Sequence, residues 1–275
     1  MFNLIKVDTQ RVLRDKLFLV MGILAVVFAV AMPLLYWGIS LLMEEAFAEM
    51  MPGDLFSAKS HFFSAFVLSD NLGLILPVLL AIILCKDFSQ GTVRNKIISG
   101  HSRASIFLSM YTVCALVLFG MMLLHALMTL GISLIFFDYQ SAPFTSADFT
   151  YLLQSLLLEL LCYLFVGAIV SYLCAVMKNA GMAVVLYVAV MFGCTLISGI
   201  LQAGVMALSM DPAKESVAKL LKTLQNMNVF SYSANIGQGT AYTNQELLYY
   251  LLTPIVGTTA VLILGILKFN RKDLK

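Results

Sequence analysis

Six apolar runs divide the chain, at approximately 17–43, 62–85, 105–137, 151–177, 181–204 and 247–269, and polar residues gather in the links between them. About 20 apolar residues make a helix long enough to cross roughly 30 Å of hydrocarbon, so each run predicts one membrane span. The first and third are over-long and are expected to tilt or to extend past the bilayer. The links carry helical signals of their own. Residues 2–16 (FNLIKVDTQRVLRDK) mix Phe2, Ile5, Val12 and Leu13 with basic residues, which suits a helix lying in the membrane interface. Between spans 2 and 3, Thr92 is a good N-cap and Gly100 a good residue just past a C-terminus. Val93, Ile97 and Ile98 share one side of the short helix between them. In the long connection 205–246, Asp211 and Pro212 open a further helix, whose Val217, Leu220, Leu221 and Leu224 recur at i, i+3, i+4, i+7. Lys214, Lys219 and Lys222 decorate its polar side. It is read either as a helix at the outer leaflet or as an ordinary loop helix.

Composition decides the solvent. With 61% hydrophobic residues, 12% charged residues and a mean hydropathy of +0.94 over 275 residues, one soluble core cannot hide the apolar surface, and lipid must cover the rest. The expected fold is an all-α polytopic membrane protein with six transmembrane helices, one transmembrane domain over 1–275. The first run is too long for the apolar part of a signal peptide and lacks a small-residue cleavage site, so it is expected to remain as span 1.

The net charge of +2 matters less than its distribution. Placing the N-terminus in the cytoplasm collects Lys6, Arg11, Arg14, Lys16, Lys86, Arg94, Lys96, Arg103, Lys178, Lys268, Arg271, Lys272 and Lys275 on the inner side, thirteen of the 17 basic residues. The positive-inside rule then predicts both termini in the cytoplasm of a cell membrane, a bacterial one being the expected setting. Glu44, Glu45, Glu49, Asp54, Asp138, Asp148, Asp211, Glu215 and Glu246 collect outside. Cys85, Cys114, Cys162, Cys174 and Cys194 lie in or at the ends of spans without metal-ligand spacing, and they read as small apolar packers.

The segment KDFSQGTVRNKIISG, residues 86–100, stands out because a helix of about seven residues cannot hold itself together in water. It must dock on something, whether headgroups or a protein. Its pattern, Asp87-x-x-x-Gly91-Thr92, an apolar helix, then Gly100-x-x-Arg103 leading into a span, resembles the signature of type-2 ABC exporter permeases. Asp87 stands where Glu is usual in that family, and Gly100 where Pro is common. The resemblance extends to the layout: an amphipathic N-terminal segment, six spans, a long outer connection before the last span and a basic C-terminus. It implies that 86–103 is a coupling segment seated in a cleft of an ATP-hydrolysing partner, with Asp87, Gly91, Thr92, Val93, Arg94, Ile97, Gly100 and Arg103 as coupling residues. Val93 and Ile97 would be buried in that cleft, and Arg94 and Lys96 would sit at its rim. It also implies a second permease copy or paralogue, and export of an amphipathic peptide, drug or lipid. No G-x-x-x-x-G-K-[ST] phosphate cradle occurs in the chain, so ATP and Mg are expected on a separate ATPase subunit. This chain itself is expected to be no enzyme, and to bind no nucleic acid or metal.

Three ionisable residues fall inside spans, where they are costly and point to function by default: Asp70, His125 and Glu159. Asp70 and Glu159 each lie eight residues into an inward-running span, about 12 Å deep, and are candidates to line a polar pathway together. Ser69-Asp70-Asn71-Leu72-Gly73 reads equally as a helix restart with Asp70 as N-cap, and His125 as an interhelical hydrogen bonder. An ion-coupled secondary transporter or channel using Asp70 and Glu159 is the alternative, although the six spans show no inverted repeat and that reading leaves the capped helix unexplained. An intramembrane protease lacks a nucleophile with its base.

Overall fold

The computed structural model describes residues 2–42, 57–68, 71–137, 144–177, 179–209, 214–236 and 242–272. Among them the chain is all-helical. In order come α1 (Phe2–Leu13), α2 (Lys16–Leu42), α3 (Ala58–Ser64), α4 (Asn71–Ser89), α5 (Thr92–Ile98), α6 (Arg103–Phe136), α7 (Ser146–Val176), α8 (Ala180–Ser209), α9 (Glu215–Asn226), α10 (Val229–Ile236) and α11 (Asn244–Arg271). Six of them, α2, α4, α6, α7, α8 and α11, are long and apolar enough to cross a membrane. This is a multi-pass membrane protein.

The six divide into a core and a rim. In the most apolar stretch of each helix, 56% of residues are buried in α4, α6 and α7, against 22% in α2, 17% in α11 and 11% in α8. The rim helices lean on the core: α2 on α6, α11 on α7 and α6, α8 on α4 and α7. Lipid is no worse a solvent for Leu than another helix is, so close packing must draw the helices together, and small residues mark the contacts. A Cβ on Gly167 of α7 would lie 3.4 Å from the Ala115 backbone of α6, and Gly265 of α11 lies under the Phe107 ring of α6. At 34 residues, α6 is about 51 Å long and overshoots the hydrocarbon, as its over-long apolar run predicts.

The run at 62–85 is not one continuous helix. Helix α3 ends at Ser64, a turn follows through residues 65–68, and α4 starts afresh at Asn71. The restart falls where the Ser69–Gly73 stretch predicts it. Asp70, the expected cap, lies outside the described residues. The turn leaves backbone groups without helical partners, and other parts of the protein take them up. Leu68 N–H donates to Ser233 Oγ of α10 at 2.7 Å, and Tyr187 of α8 donates its hydroxyl to Gly73 O at 3.0 Å. His125 Nδ1 of α6 lies 3.3 Å from Ala65 O, a contact that calls for the Nδ1–H tautomer. Gly73 closes the break, since a Cβ there would collide with the Leu68 carbonyl.

Near α3, Thr145 and Asp148 form a capping box at the start of α7, and Lys59 of α3 pairs with the same Asp148 at 2.7 Å. The amphipathic helix expected from Val217 to Leu224 is α9, which packs on α8. It buries Ala218 and leaves Val217, Leu220 and Leu224 exposed. Its expected start at Asp211 and Pro212 lies outside the described residues. Helix α10 is not foreseen by the hydrophobic pattern: VFSYSANI is an eight-residue helix with six residues buried against its neighbours. Asn228 anchors it, donating from Nδ2 to Cys194 O at 2.7 Å and accepting from Phe230 N–H at 3.2 Å. The Tyr151 and Tyr242 hydroxyls both donate to its last carbonyl, at Ile236.

Gly73→Ala is expected to be among the most damaging single changes, destabilising the purified chain by more than about 3 kcal/mol, because the clash is with backbone. Gly131→Ala in α6, with open space around its Cα, is expected to stay within about 0.5 kcal/mol. Thermal melts in detergent compare the two, and equal melting temperatures would refute the role given to Gly73.

Candidate functional site

The segment 86–103 is a helix–turn–helix–turn unit clamped at one end of the bundle. Two glycines with positive φ bound α5, Gly91 at 70° and Gly100 at 88°, conformations that cost an L side chain energy. Gly91 itself occupies the N-cap position without a side-chain cap bond, and Thr92 is the first helical residue. The expected Thr92 cap is therefore corrected: the chain reverses at Gly91, one residue earlier. At the other end Gly100 N–H bonds Ile97 O at 3.0 Å and His101 N–H bonds Lys96 O at 3.1 Å, the paired bonds of a Schellman motif.

The docked face is the chain's own. Val93 is 3% exposed, and Ile97 is half-buried against the core of the same protein. Val93 is thus spent inside its own chain rather than left for a partner's cleft, whereas Ile97 keeps part of its surface outside. Seven residues must first be held by their own domain, and that uses the apolar pair. Arg94, Asn95 and Ile98 point outward, Ile98 being 75% exposed. Lys96 is not at a rim either: its side chain is 11% exposed and turned into a charge cluster.

That cluster joins four helices. Lys96 of α5 pairs with Asp8 of α1 at 2.6 Å and with Asp87 of α4 at 3.6 Å. Arg11 of α1 pairs with Asp87, and Ser109 of α6 donates to Asp8 at 2.7 Å. Two carboxylates face two cations, so the buried group is neutral. Burial pushes the Lys96 amine down from its ordinary range, opposed by the bond and charge of Asp8. Arg11 is likewise pushed down by burial and held up by Asp8 and Asp15. Beside the cluster Lys86 pairs with Asp15 at 2.6 Å; burial alone would raise the Asp15 carboxyl, but the Lys86 bond, the Leu17 N–H and the nearby cations bring it below the usual range.

Arg103 begins α6 and reaches back to the end of α11, donating from Nη1 to Phe269 O, Asn270 O and Lys272 O at 3.2, 3.0 and 2.6 Å. Lys272 in turn donates to Ala175 O and Met177 O at the end of α7, at 2.6 and 3.0 Å, and sits 5.0 Å from the centre of the Phe88 ring. These cations satisfy carbonyls that two helix C-termini leave open. Both ends of the described chain thus contact the segment 86–103, the first through Lys96 and Asp87 and the last through Phe88 and Arg103.

The family described as Protein of unknown function (DUF2705) matches residues 18–275. The chain belongs to that family. The match covers α2 to α11 and so includes Asp87, Lys96 and Arg103, while α1 with Asp8 and Arg11 precedes it. No curated protein matches the chain.

Glu159 and His125 form a second group, around the break between α3 and α4, while Asp70 lies outside the described residues. Glu159 is fully buried and accepts from Ser233 Oγ at 2.9 Å, the same hydroxyl that receives Leu68 N–H. Its other oxygen is buried with no hydrogen-bond partner among the described residues. His125 reaches the same turn through Ala65 O. Ser233 and Asp8 were invisible as site residues because both sit in otherwise apolar stripes. Asp8 does leave a trace: Leu4, Asp8 and Val12, spaced i, i+4, i+8, are the buried stripe of α1. Of the apolar residues expected at the interface, Phe2 and Leu13 are exposed and Val12 is buried.

Lys96→Met would leave Asp8 and Asp87 buried with one cation between them, a loss typically worth on the order of 3–5 kcal/mol. Arg94→Ala on the exposed face is expected to change stability by less than about 0.5 kcal/mol. Hydrogen exchange at the α5 amides reads the difference. Unchanged protection in Lys96→Met would show that the cluster does not hold the helix.

Proposed function

We propose that this protein is the membrane subunit of an ATP-driven exporter of the ABC type, working as a homodimer or with a paralogue and with two separate ATPase subunits that bind ATP and Mg. The observation that carries this reading is α5. A helix too short to stand alone is fixed to three others by a neutral, buried charge cluster, yet it presents Arg94, Asn95 and Ile98 outward. A knob so rigidly joined to α4 and α6 passes a push from an ATPase into the core of the bundle, rather than absorbing it in a loop. Closure of the ATPases on nucleotide would move the knob, and the spans would then open a route outward for an amphipathic peptide, a drug or a lipid. Both termini and α5 are cytoplasmic in this reading.

The contact surface differs from the one the sequence suggests: Ile98 and Arg94 meet the ATPase, and Val93 and Ile97 hold the helix in place. Ile98→Asp is expected to reduce copurified ATPase by about tenfold or more, the cost of forcing an unpaired carboxylate into a contact, with the permease still folded and in the membrane. Wild-type copurification and wild-type transport-stimulated hydrolysis in that variant would overturn the coupling role.

One observation favours a second reading as an ion-coupled transporter. Discontinuous spans with a buried acid at the break are a common way to build an ion site in the membrane, and Glu159 beside the α3–α4 break fits it. Flux through the isolated chain, driven by an ion gradient and abolished by Glu159→Gln, would select it.

The orientation has its own test. In a cysteine-free background, Asp54→Cys is expected to react with an impermeant thiol reagent in intact cells and His101→Cys to resist it. Ready labelling of His101→Cys from outside would reverse the arrangement.

A further inference from the structure

At the end of the bundle that holds α5, the last turns of α11 and the end of α7 enclose a groove of about 430 Å³, lined by Val176, Leu264, Leu267, Lys268, Arg271 and Lys272. Leu264 and Lys268, and Leu267 and Arg271, are each four residues apart, so the helix stacks two cations over two leucines on one face. All four side chains are exposed. Lys272 is engaged by the carbonyls of Ala175 and Met177, whereas Lys268 and Arg271 have no acidic partner among the described residues. The described acids of this end cannot serve, because Asp8, Asp15 and Asp87 are already matched by Lys96, Lys86 and Arg11. Two exposed cations with no described carboxylate beside them thus stand above an apolar strip at the end of a membrane span.

We infer that this groove is a binding site for an anionic phospholipid, with the phosphate held between Lys268 and Arg271 and an acyl chain lying over Leu267 and Leu264. Basic pockets at the ends of spans bind anionic headgroups through charge at the interface and apolar contact below it. Seven residues of helix separate Leu264 from Arg271, about 10 Å, which places the leucines at the depth of the upper acyl chain when the cations sit at the phosphates. The inference stands apart from the exporter reading, since it needs only a membrane span with this face.

The test is native mass spectrometry of the full chain after incubation with equal amounts of phosphatidylglycerol and phosphatidylcholine. The wild type is expected to retain phosphatidylglycerol selectively. Lys268→Gln with Arg271→Gln is expected to cut that retention by about fivefold for each cation removed, and Leu264→Asn to weaken it with both cations in place. Lys268→Arg is expected to keep it, which covers the case in which the neutral pair fails to fold. Lys6→Gln with Arg14→Gln removes the same charge from α1 and the turn after it and is expected to leave retention unchanged. Equal loss in that control would reduce the effect to overall charge and overturn the site, as would wild-type retention in the Lys268 and Arg271 pair. Glycerol phosphate, which lacks acyl chains, is expected not to compete at millimolar concentration; full displacement by it would show a site for a soluble anion instead.

Discussion

Hydrocarbon offers a peptide group no partner, and most of this structure follows from how the chain meets that demand. The spans other than α4 meet it mostly within their own helices, and where Pro254 interrupts the ladder of α11, Tyr232 of α10 donates to the Tyr250 carbonyl. The apolar run that leads into α4 is the exception: a turn separates α3 from α4, and beyond its own bonds to α3 its backbone and that of Gly73 are met by α6, α8 and α10. Ser233 lies on a short helix that would have no reason to be buried if the span were continuous. Tyr187 is fully buried, and its hydroxyl is spent on Gly73. The break therefore recruits α6, α8 and α10 around itself, with Glu159 behind Ser233 as a third layer of the same hydrogen-bonded group.

A related rule governs the opposite end. Charges taken out of water must be matched, and Asp8, Arg11, Asp87 and Lys96 match one another across three helices, with Ser109 of a fourth bonded to Asp8. Such clusters contribute less to stability than to arrangement: an apolar patch tolerates sliding, whereas two pairs of charges with one neutral solution do not. Position is what the cluster supplies to α5, whose few hydrogen bonds would otherwise leave it frayed. The caps made by Arg103 and Lys272 extend the same logic, tying the start of α6 to the end of α11, and the end of α11 to the end of α7. The two polar groups thus brace the two ends of an otherwise apolar bundle. Between them small residues set the helix spacing, as at Gly167 against Ala115.

The uneven burial of the spans also has consequences. Helices α8 and α11 keep most of their apolar surface outside the fold, and α9 adds an exposed stripe of Val217, Leu220 and Leu224 beside α8. This is surface for lipid or for another chain.

Much was legible in the sequence because it depends on local chemistry alone. Span number follows from run length against a fixed hydrocarbon thickness, and all six appear. The α5 helix, its closing glycine and the restart at Asn71 follow from residues whose backbone preferences act over a few positions. What the sequence left open was which side of each element faces protein. Val93 reads as part of a docking face and is buried in its own bundle, with Ile97 partly so; Lys96 reads as a rim charge and is largely covered; Ser233 gives no sign, and Asp8 only its place in the buried stripe of α1. Helix α10 escaped because an eight-residue apolar segment looks the same whether it lies in a loop or is buried among spans. Local patterns determine where helices begin, end and cross, since those depend on neighbours in the chain. Only the tertiary structure decides which charges meet and which break is filled, because Asp8 and Lys96, or Leu68 and Ser233, become neighbours only when distant segments pack.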